Sequence, residues 1–148
     1  MRTMFDPEVR AEIRTRIQRL RPDSLRRWGR MTAPQMVAHL SDQMRHTLGD
    51  AKCAARRGLL RHSVVRYLVI YLLPWPKGRI KGPPEAFVTQ PTTWEADVKT
   101  LMDLVDRFVA HGPDGQWPEH ALLGRMSGPD WGVFCNKHFN HHLSQFGV

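Results

Sequence analysis

The last stretch of the chain constrains the fold most, because it carries both the start and the stop signals of a single helix. Ser127 can accept a hydrogen bond from the third helical N–H, and Asp130 can reach back to complete a capping box. Pro129 falls in the first turn, where its missing N–H costs nothing. Gly147 can take the left-handed conformation that ends many helices. The pattern predicts a terminal helix over roughly residues 128–146.

This helix carries His138 and His142, which are one turn apart, about 40° from each other around the axis, and so share a face. Two neutral imidazoles at this spacing provide half of a metal site. The best third ligand is His39, because residues 29–35 repeat the pattern of residues 124–130 almost residue for residue. Each segment is a capping box with proline in the first turn, followed by an amphipathic run that contains histidine. Two similar helices are therefore predicted to face each other across a core.

Apolar residues at helical spacing predict the remaining helices. The predicted helices before the terminal one cover roughly residues 7–20, 33–48, 59–73 and 92–111. The third is an apolar run that we interpret as a buried helix. Arg66 interrupts it, and it is much shorter than the roughly 20 residues that a membrane-spanning helix requires. Attachment to a membrane interface is the weaker alternative. Thr92 and Glu95 predict another capping box at the start of the fourth helix.

Proline and glycine predict two long connections, over residues 74–84 and 112–127. A loop as long as the first often covers a functional site. The basic stretch over residues 50–61 is predicted to be a loop or a weak helix, and no segment shows the alternation typical of a strand. The sequence therefore predicts an all-α fold in a single domain over residues 1–148, with four principal helices and a shorter extra one.

The charge and the cysteines narrow the classes of partner and compartment. The formal net charge is +8, but the arginines form no aromatic-interleaved basic repeat, so nucleic-acid binding is disfavoured and an anionic small molecule is favoured. Residues 1–20 are charged throughout, which argues against a signal peptide. Cys53 and Cys135 form no Cys-x-x-Cys pair, which suits a reducing cytosol, and we predict a cytoplasmic protein without a transmembrane segment.

Residues next to the three histidines are candidates for supporting roles. Ligating histidines usually donate their second N–H to a carboxylate or a carbonyl, and Asp42 and Gln145 each lie one turn after a candidate ligand. His141 lies about 60° to one side of His138, which favours a supporting or surface position over ligation. In each case the alternative is a solvated helix residue.

Two further side chains lie near the predicted site without fitting it as well. His46 is two turns from His39, about 10 Å along the axis, and should not share the same ion; we predict a surface or rim position. Cys135 is near enough to reach a metal as thiolate, but a small buried hydrophobic residue is the commoner role. The alternative for the terminal pair of histidines is a polar, solvated helix end.

A site with three histidine ligands restricts the chemistry. It leaves open positions where a water or a thiol becomes much more acidic. No glutamate lies between His138 and His142, so the His-Glu-x-x-His arrangement of metalloproteases is absent and peptide hydrolysis is disfavoured. The sequence also lacks a glycine-rich phosphate loop and a Gly-x-Ser-x-Gly nucleophile turn.

Several motifs together resemble a known superfamily. They are Trp28-Gly-Arg-Met-Thr-x-x-Gln-Met-x-x-His39-Leu, Pro74-Trp-Pro-Lys-Gly, Gly124-Arg-Met-Ser-x-x-Asp-Trp-Gly and His138-x-x-His141-His142-Leu-x-Gln145-Phe-Gly. Over nearly its whole length the chain resembles the DinB-like superfamily of metal-dependent four-helix-bundle proteins, and within it a branch without an assigned activity. The resemblance implies an up-down-down-up bundle with an extra short helix and long Pro/Gly-rich loops. It also implies a divalent ion, with zinc, nickel and iron as candidates, held by His39, His138 and His142.

The resemblance also suggests an activity, because some members of the superfamily transfer low-molecular-weight thiols such as mycothiol or bacillithiol. We expect a metal-dependent enzyme that activates a thiol or water for thiol S-transferase-like transfer or for hydrolysis. Its substrate would be a small anionic thiol or electrophile entering beneath the loop over residues 74–84. The alternative is a non-catalytic bundle that binds a metal or small ligand in a stress response and is able to form a homodimer. In the superfamily the segment before Gly124 usually reads His-Pro-aromatic-Phe-Gly, whereas this chain has His120-Ala-Leu-Leu-Gly, which would alter a pocket lined there.

Overall fold

The computed structural model describes residues 1–79 and 82–148, and its regular structure is helical. Within these residues there are five α-helices: α1 (Pro7–Arg19), α2 (Ala33–Leu48), α3 (Ser63–Tyr67), α4 (Trp94–His111) and α5 (Gly128–Gln145). A π-helical turn continues α3, and two short 3₁₀ turns lie at Leu59–Arg61 and Pro84–Phe87. No strand forms in the described residues, where the one β-bridge pairs His120 with Gly124. The predicted all-α class is confirmed.

The two repeated helix starts form as the sequence predicts. Before α2, the Thr32 hydroxyl accepts from the Gln35 N–H at 3.3 Å, and the Gln35 side chain accepts from the Thr32 N–H at 2.9 Å. Before α5, Ser127 and Asp130 make the same reciprocal pair at 3.2 and 2.9 Å. Three residues ahead of each cap, a glycine adopts a positive φ, 84° in the first segment and 74° in the second. Both histidine-bearing helices are thus started by equivalent local structures.

Packing between the helices turns the histidine-bearing faces of α2 and α5 inward. Helix α2 packs along α4, α1 packs along α5, and α2 also contacts α5. The largest fully buried apolar side chains come from all four of these helices and from the segments that flank them. They include Ile13, Ile17, Met36, Leu40, Met44, Leu101, Phe108, Trp131 and Phe139. Burial of these side chains is the main favourable term that holds α2 against α5.

The predicted buried helix over residues 59–73 is wrong in both continuity and burial. The segment is divided into a 3₁₀ turn, the short helix α3 and the π-helical turn Leu68–Leu72, and Ile70 alone of its residues is buried. Its C-terminal end is held from α5, where Lys137 Nζ donates to the carbonyls of Val69 at 2.8 Å and Leu73 at 2.6 Å. Apolar composition predicted burial here, but the segment lies on the surface.

The capping box predicted at the start of α4 is also wrong. The helix begins at Trp94, and Thr93 at the N-cap makes no side-chain capping bond. Instead, the carboxylate of Asp97 accepts from the Thr92 N–H at 2.8 Å and from its hydroxyl at 2.7 Å. The acid that satisfies the helix entrance therefore lies two residues beyond the predicted Glu95.

The connection predicted over residues 74–84 is irregular in its described part, and Ile80 and Lys81 lie outside the described residues. Between them and α4, the turn Pro84–Phe87 packs against α2. In residues 1–79 and 82–148, no helix has the length and apolar character needed to cross a bilayer.

Candidate metal centre

Three histidine side chains from two helices converge inside the protein. His39 projects from α2, and His138 and His142 project from α5. The Nε2 atom of His39 lies 3.2 Å from that of His138 and 3.1 Å from that of His142, and the last two are 2.8 Å apart. The three residues are only 5%, 7% and 8% exposed, respectively. The structure therefore brings together the three residues that the sequence singled out.

Hydrogen bonds on the far side of two rings determine which nitrogen carries the proton. His39 Nδ1 lies 2.7 Å from the carbonyl oxygen of Ala86, and His142 Nδ1 lies 2.7 Å from Gln145 Oε1. Both partners are acceptors, so in the neutral rings Nδ1 carries the proton and donates. Each Nε2 then presents a lone pair to the centre of the cluster. The hydrogen bond expected of Gln145 is present.

Burial keeps the cluster uncharged. Desolvation lowers the pKa of His39, His138 and His142 below the usual value for imidazole, and that of His142 falls to about 3. The neighbouring imidazoles lower the pKa values of His138 and His142 further, because a second positive charge nearby is unfavourable. At neutral pH the three rings are therefore neutral, which is the form that binds metal. His138 Nδ1 is buried and has no hydrogen-bond partner among the described residues.

The separations between the nitrogens fit a single ion. Three imidazole nitrogens at about 2.1 Å from one ion lie about 3.0 Å apart on a face of an octahedron and about 3.4 Å apart in a tetrahedron. The observed separations of 2.8, 3.1 and 3.2 Å are nearer the octahedral value. An ion that is bound by three nitrogens on one side keeps open coordination positions on its opposite side. Zinc, nickel and iron all accept imidazole ligands.

Aromatic rings enclose the cluster. Phe87 stacks on His39 with ring centroids 4.5 Å apart, and Trp75 and Phe134 each lie 5.7 Å from the His138 ring. These rings limit the access of water to the imidazoles. Trp75 belongs to the Pro-Trp-Pro motif noted in the sequence, whereas no sequence signal pointed to Phe87.

Asp42 supports the site indirectly instead of hydrogen-bonding to His39. Its buried carboxylate accepts from the backbone N–H groups of Val88 at 3.0 Å and Thr89 at 2.9 Å, and from the Thr89 hydroxyl. Arg45 also donates to it, at 3.0 Å. Asp42 thereby fastens to α2 the segment that carries Phe87 and the carbonyl partner of His39. The expectation that Asp42 itself would be that partner is not met.

His46 also holds this segment and lies outside the cluster. Its Nε2 is 3.0 Å from the Glu85 carbonyl oxygen, and its Nδ1 is 3.0 Å from that of Ala51. The residue is half-buried at the edge of the site. It occupies the rim position that the sequence predicts.

His141 is a half-buried neighbour of the cluster. Its ring lies 4.8 Å from Trp28, 5.7 Å from Trp75 and 5.2 Å from His142, in edge-on contacts. It is not one of the three converging histidines. Its place is therefore beside the site, next to two tryptophans.

Cys135 is buried and His120 is half-buried, and neither belongs to the histidine cluster. Complete burial raises the pKa of the Cys135 thiol to about 12, so it behaves as a small apolar residue. His120 Nδ1 accepts from two backbone N–H groups, those of Leu122 and Leu123, both at 3.1 Å. The ring packs 4.9 Å from Phe134, and burial lowers its pKa to about 4. His120 thus lies behind the aromatic wall and outside the cluster.

A cavity of about 320 Å³ adjoins the cluster at His39. Its walls come from the segment before and within the first turn of α2 and from residues 87–91. None of the lining residues comes from the described part of the loop over residues 74–84, beneath which the sequence predicts the substrate entrance; that entrance stays a prediction. Trp75 from that loop packs instead on the opposite ligand, His138.

The fold and the site define an all-α protein with a buried cluster of three histidines able to hold a metal ion. A family model described as "Protein of unknown function (DUF1569)" matches residues 6–147. The chain therefore belongs to the DUF1569 family. Comparison with the curated proteins and with the solved structures gave no match.

Proposed function

We propose that this protein is a metal-dependent enzyme of the DinB-like superfamily in which His39, His138 and His142 hold a divalent ion. The observation that carries the proposal is the convergence of three buried Nε2 atoms, two of them with lone pairs directed inward by hydrogen bonds on the far side of the ring. The inward-facing lone pairs of His39 and His142 lie 3.1 Å apart, and they repel unless a proton or a metal cation lies between them. The pairing of α2 with α4, α1 with α5 and α2 with α5 supports an up-down-down-up four-helix bundle.

The proposed reaction is activation of a small thiol or of water. A divalent ion bound by three imidazoles supplies Lewis acidity that lowers the pKa of a thiol or water at its open positions. The protein's own residues orient and dehydrate the site. Gln145 and the Ala86 carbonyl hold two of the rings in the ligating tautomer, and Phe87, Trp75 and Phe134 exclude water around them.

Thiol transfer fits the site better than hydrolysis. Hydrolysis of a stable bond generally needs a general base near the attacking water. Among the described residues, the carboxylate nearest the cluster along α2 is that of Asp42, and both its oxygens already accept from backbone N–H, hydroxyl or guanidinium groups. A thiol is acidic enough for metal activation alone to suffice.

A non-catalytic metal-binding or small-ligand-binding module is the second candidate. The three histidines are at most 8% exposed, and the aromatic rings around them leave little room for a reaction between two substrates. This enclosure would suit the storage or sensing of a ligand. Saturable binding without turnover would favour this candidate over the enzyme.

Elemental analysis of protein purified without a histidine tag tests the metal site. We expect about one divalent ion per chain in the wild type and loss of that ion in both His39→Ala and His138→Ala. His62→Ala is the matched control, because His62 is exposed and lies outside the cluster. A wild-type protein that takes up no zinc, nickel or iron on reconstitution would overturn the proposal.

Turnover separates the two candidates once the metal is established. The metal-loaded protein would be incubated with a small thiol and a small alkylating electrophile, and loss of free thiol would be followed against the His138→Ala variant. Acceleration that depends on the histidine cluster supports the transferase. Equal rates in both proteins would favour the binding module.

A further inference from the structure

The cavity next to His39 has the composition of a binding site for a small, charged organic molecule. Its volume of about 320 Å³ is at the lower end of the range for small-molecule pockets. Met31 and Phe87 contribute apolar walls, and Gln35 and Gln90 contribute side-chain amides. Such a mixture of apolar surface and a few polar groups binds and orients small ligands.

The charge of this cavity comes from one residue. Among the described residues that line the cavity, Arg30 is the only cationic side chain, and none is an aspartate or a glutamate. In the described part of the chain, the Arg30 guanidinium has neither a hydrogen-bond acceptor nor an ion-pair partner, and its residue is exposed. Within the same residues some arginines are paired, such as Arg45 with Asp42, and other exposed ones are not, but Arg30 is the one that lines the cavity. A guanidinium that is free at the edge of a cavity is available to a ligand.

The arrangement at the start of α2 keeps Arg30 at this position. The preceding glycine has a φ of 84°, and the capping box that follows fixes the chain direction into the helix. Gln35 contributes its Oε1 to that capping box, so its amide N–H₂ group remains as a donor. His39 lies one turn further along the same helix and belongs to both the cavity and the histidine cluster. One helix therefore presents a cation, an amide and a ligating imidazole along the cavity.

We propose that this cavity binds a small molecule with a carboxylate or similar planar anionic group, which Arg30 holds through paired hydrogen bonds. The remainder of the ligand lies against Phe87 and next to His39. That the ligand is a substrate rests on the proposed function. Its chemical class, a small anion, is inferred from the residues that line the cavity. Arginine suits this task because its planar fork matches a carboxylate in two hydrogen bonds.

The first test uses metal-free, isotope-labelled protein and needs no assumption about the metal. Propionate and propionamide have nearly the same shape and differ in charge. We expect propionate to shift the backbone amide signals of residues 30–35 and 87–90 saturably, with propionamide at least about tenfold weaker. Arg30→Gln should remove the preference, and Arg30→Lys should restore part of it. Arg57→Gln is the matched control, since Arg57 is exposed and lies outside the cavity.

The second test connects the cavity to the cluster. Cobalt-loaded protein would be titrated with mercaptoacetate and with its uncharged isostere mercaptoacetamide, and the thiol-to-cobalt absorption band would be recorded. We expect mercaptoacetate to bind about tenfold more tightly in the wild type and in Arg57→Gln, and equally tightly in Arg30→Gln.

The outcomes distinguish this inference from the proposed function. Equal shifts with propionate and propionamide, or a preference that survives in Arg30→Gln, would overturn the anionic pocket. If both thiols bound cobalt with equal affinity, the metal site would stand and the pocket would be refuted. If cobalt failed to bind while propionate was still selected, the metal-dependent function would fail and the anionic site would remain.

Discussion

Replacing Gln145 with leucine isolates the hydrogen bond that orients one proposed ligand. Gln145 Oε1 accepts from His142 Nδ1 at 2.7 Å, and both residues are buried, at 5% and 8% exposure. Leucine removes the acceptor with little change in volume. The imidazole then loses the bond that fixes its tautomer and its orientation. Loss of such an outer hydrogen bond typically weakens metal binding about 10- to 100-fold, or about 1.4 to 2.7 kcal/mol.

The same substitution has a second, separable effect on the metal-free protein. It leaves a buried N–H without a partner, which costs about 1 to 3 kcal/mol of unfolding free energy. Gln43→Leu is the matched control, because Gln43 is also a buried glutamine on a histidine-bearing helix but donates to Thr47. Zinc affinity would be measured by competition with a chelator and stability by urea unfolding. Equal zinc affinity in wild type and Gln145→Leu, or an equal loss in Gln43→Leu, would refute the reasoning.

Three further predictions concern the surroundings of the site. Asp42→Asn should lower the unfolding free energy by about 2 to 3 kcal/mol, because a buried carboxylate that binds charged and backbone donors is lost; a change below about 1 kcal/mol in urea unfolding would contradict this. Gly29→Ala should lower the unfolding free energy by about 1 to 2 kcal/mol, because its φ of 84° is unfavourable for alanine. It should also weaken metal binding, because the added Cβ lies 2.5 Å from the side-chain nitrogen of Gln145, the residue that orients His142. Gly78→Ala, at φ 69° and with no described atom within 4 Å of the added Cβ, should show the backbone cost alone. The metal-free protein should lose stability as the pH falls below about 6.5, because the pKa values of His120 and His142 are lowered to about 4 and about 3 in the folded state and not in the unfolded chain. Each contributes about 1.4 kcal/mol of loss at pH 5.5, so constant stability between pH 7.5 and 5.5 would exclude such burial.

The three histidines could be predicted from the sequence because local rules determine their directions. The capping boxes before α2 and α5 set where each helix starts, and helical spacing then sets which residues share a face. The repeat of the two helix starts linked His39 to His138 and His142, and the structure places all three together. Gln145 followed from the same rule, since it lies one turn from His142.

The errors fall where tertiary contacts override local pattern. The apolar run over residues 59–73 predicted a buried helix, but its register is broken into short turns and only Ile70 enters the core. The sequence pattern indicates which residues are apolar. It does not indicate whether the rest of the chain offers these residues a surface to pack against. Lys137, on a different helix, supplies the donors that end this segment, and nothing in the segment itself indicates them.

The partner of His39 shows a more general limit. It is a backbone carbonyl, that of Ala86, and every residue has such a group, so no residue type indicates it. The spacing suggested Asp42 as this partner, but Asp42 acts indirectly. It accepts from the N–H groups of Val88 and Thr89 and so holds the segment that carries the Ala86 carbonyl. Spacing along α2 placed Asp42 near the site correctly, but the segment it binds is more than 40 residues away along the chain. The supporting atoms of such a site depend on how a distant loop folds back. Substitutions of Val88 or Thr89, which bind Asp42 and do not bind His39, should therefore alter the His39 ring through the Ala86 carbonyl.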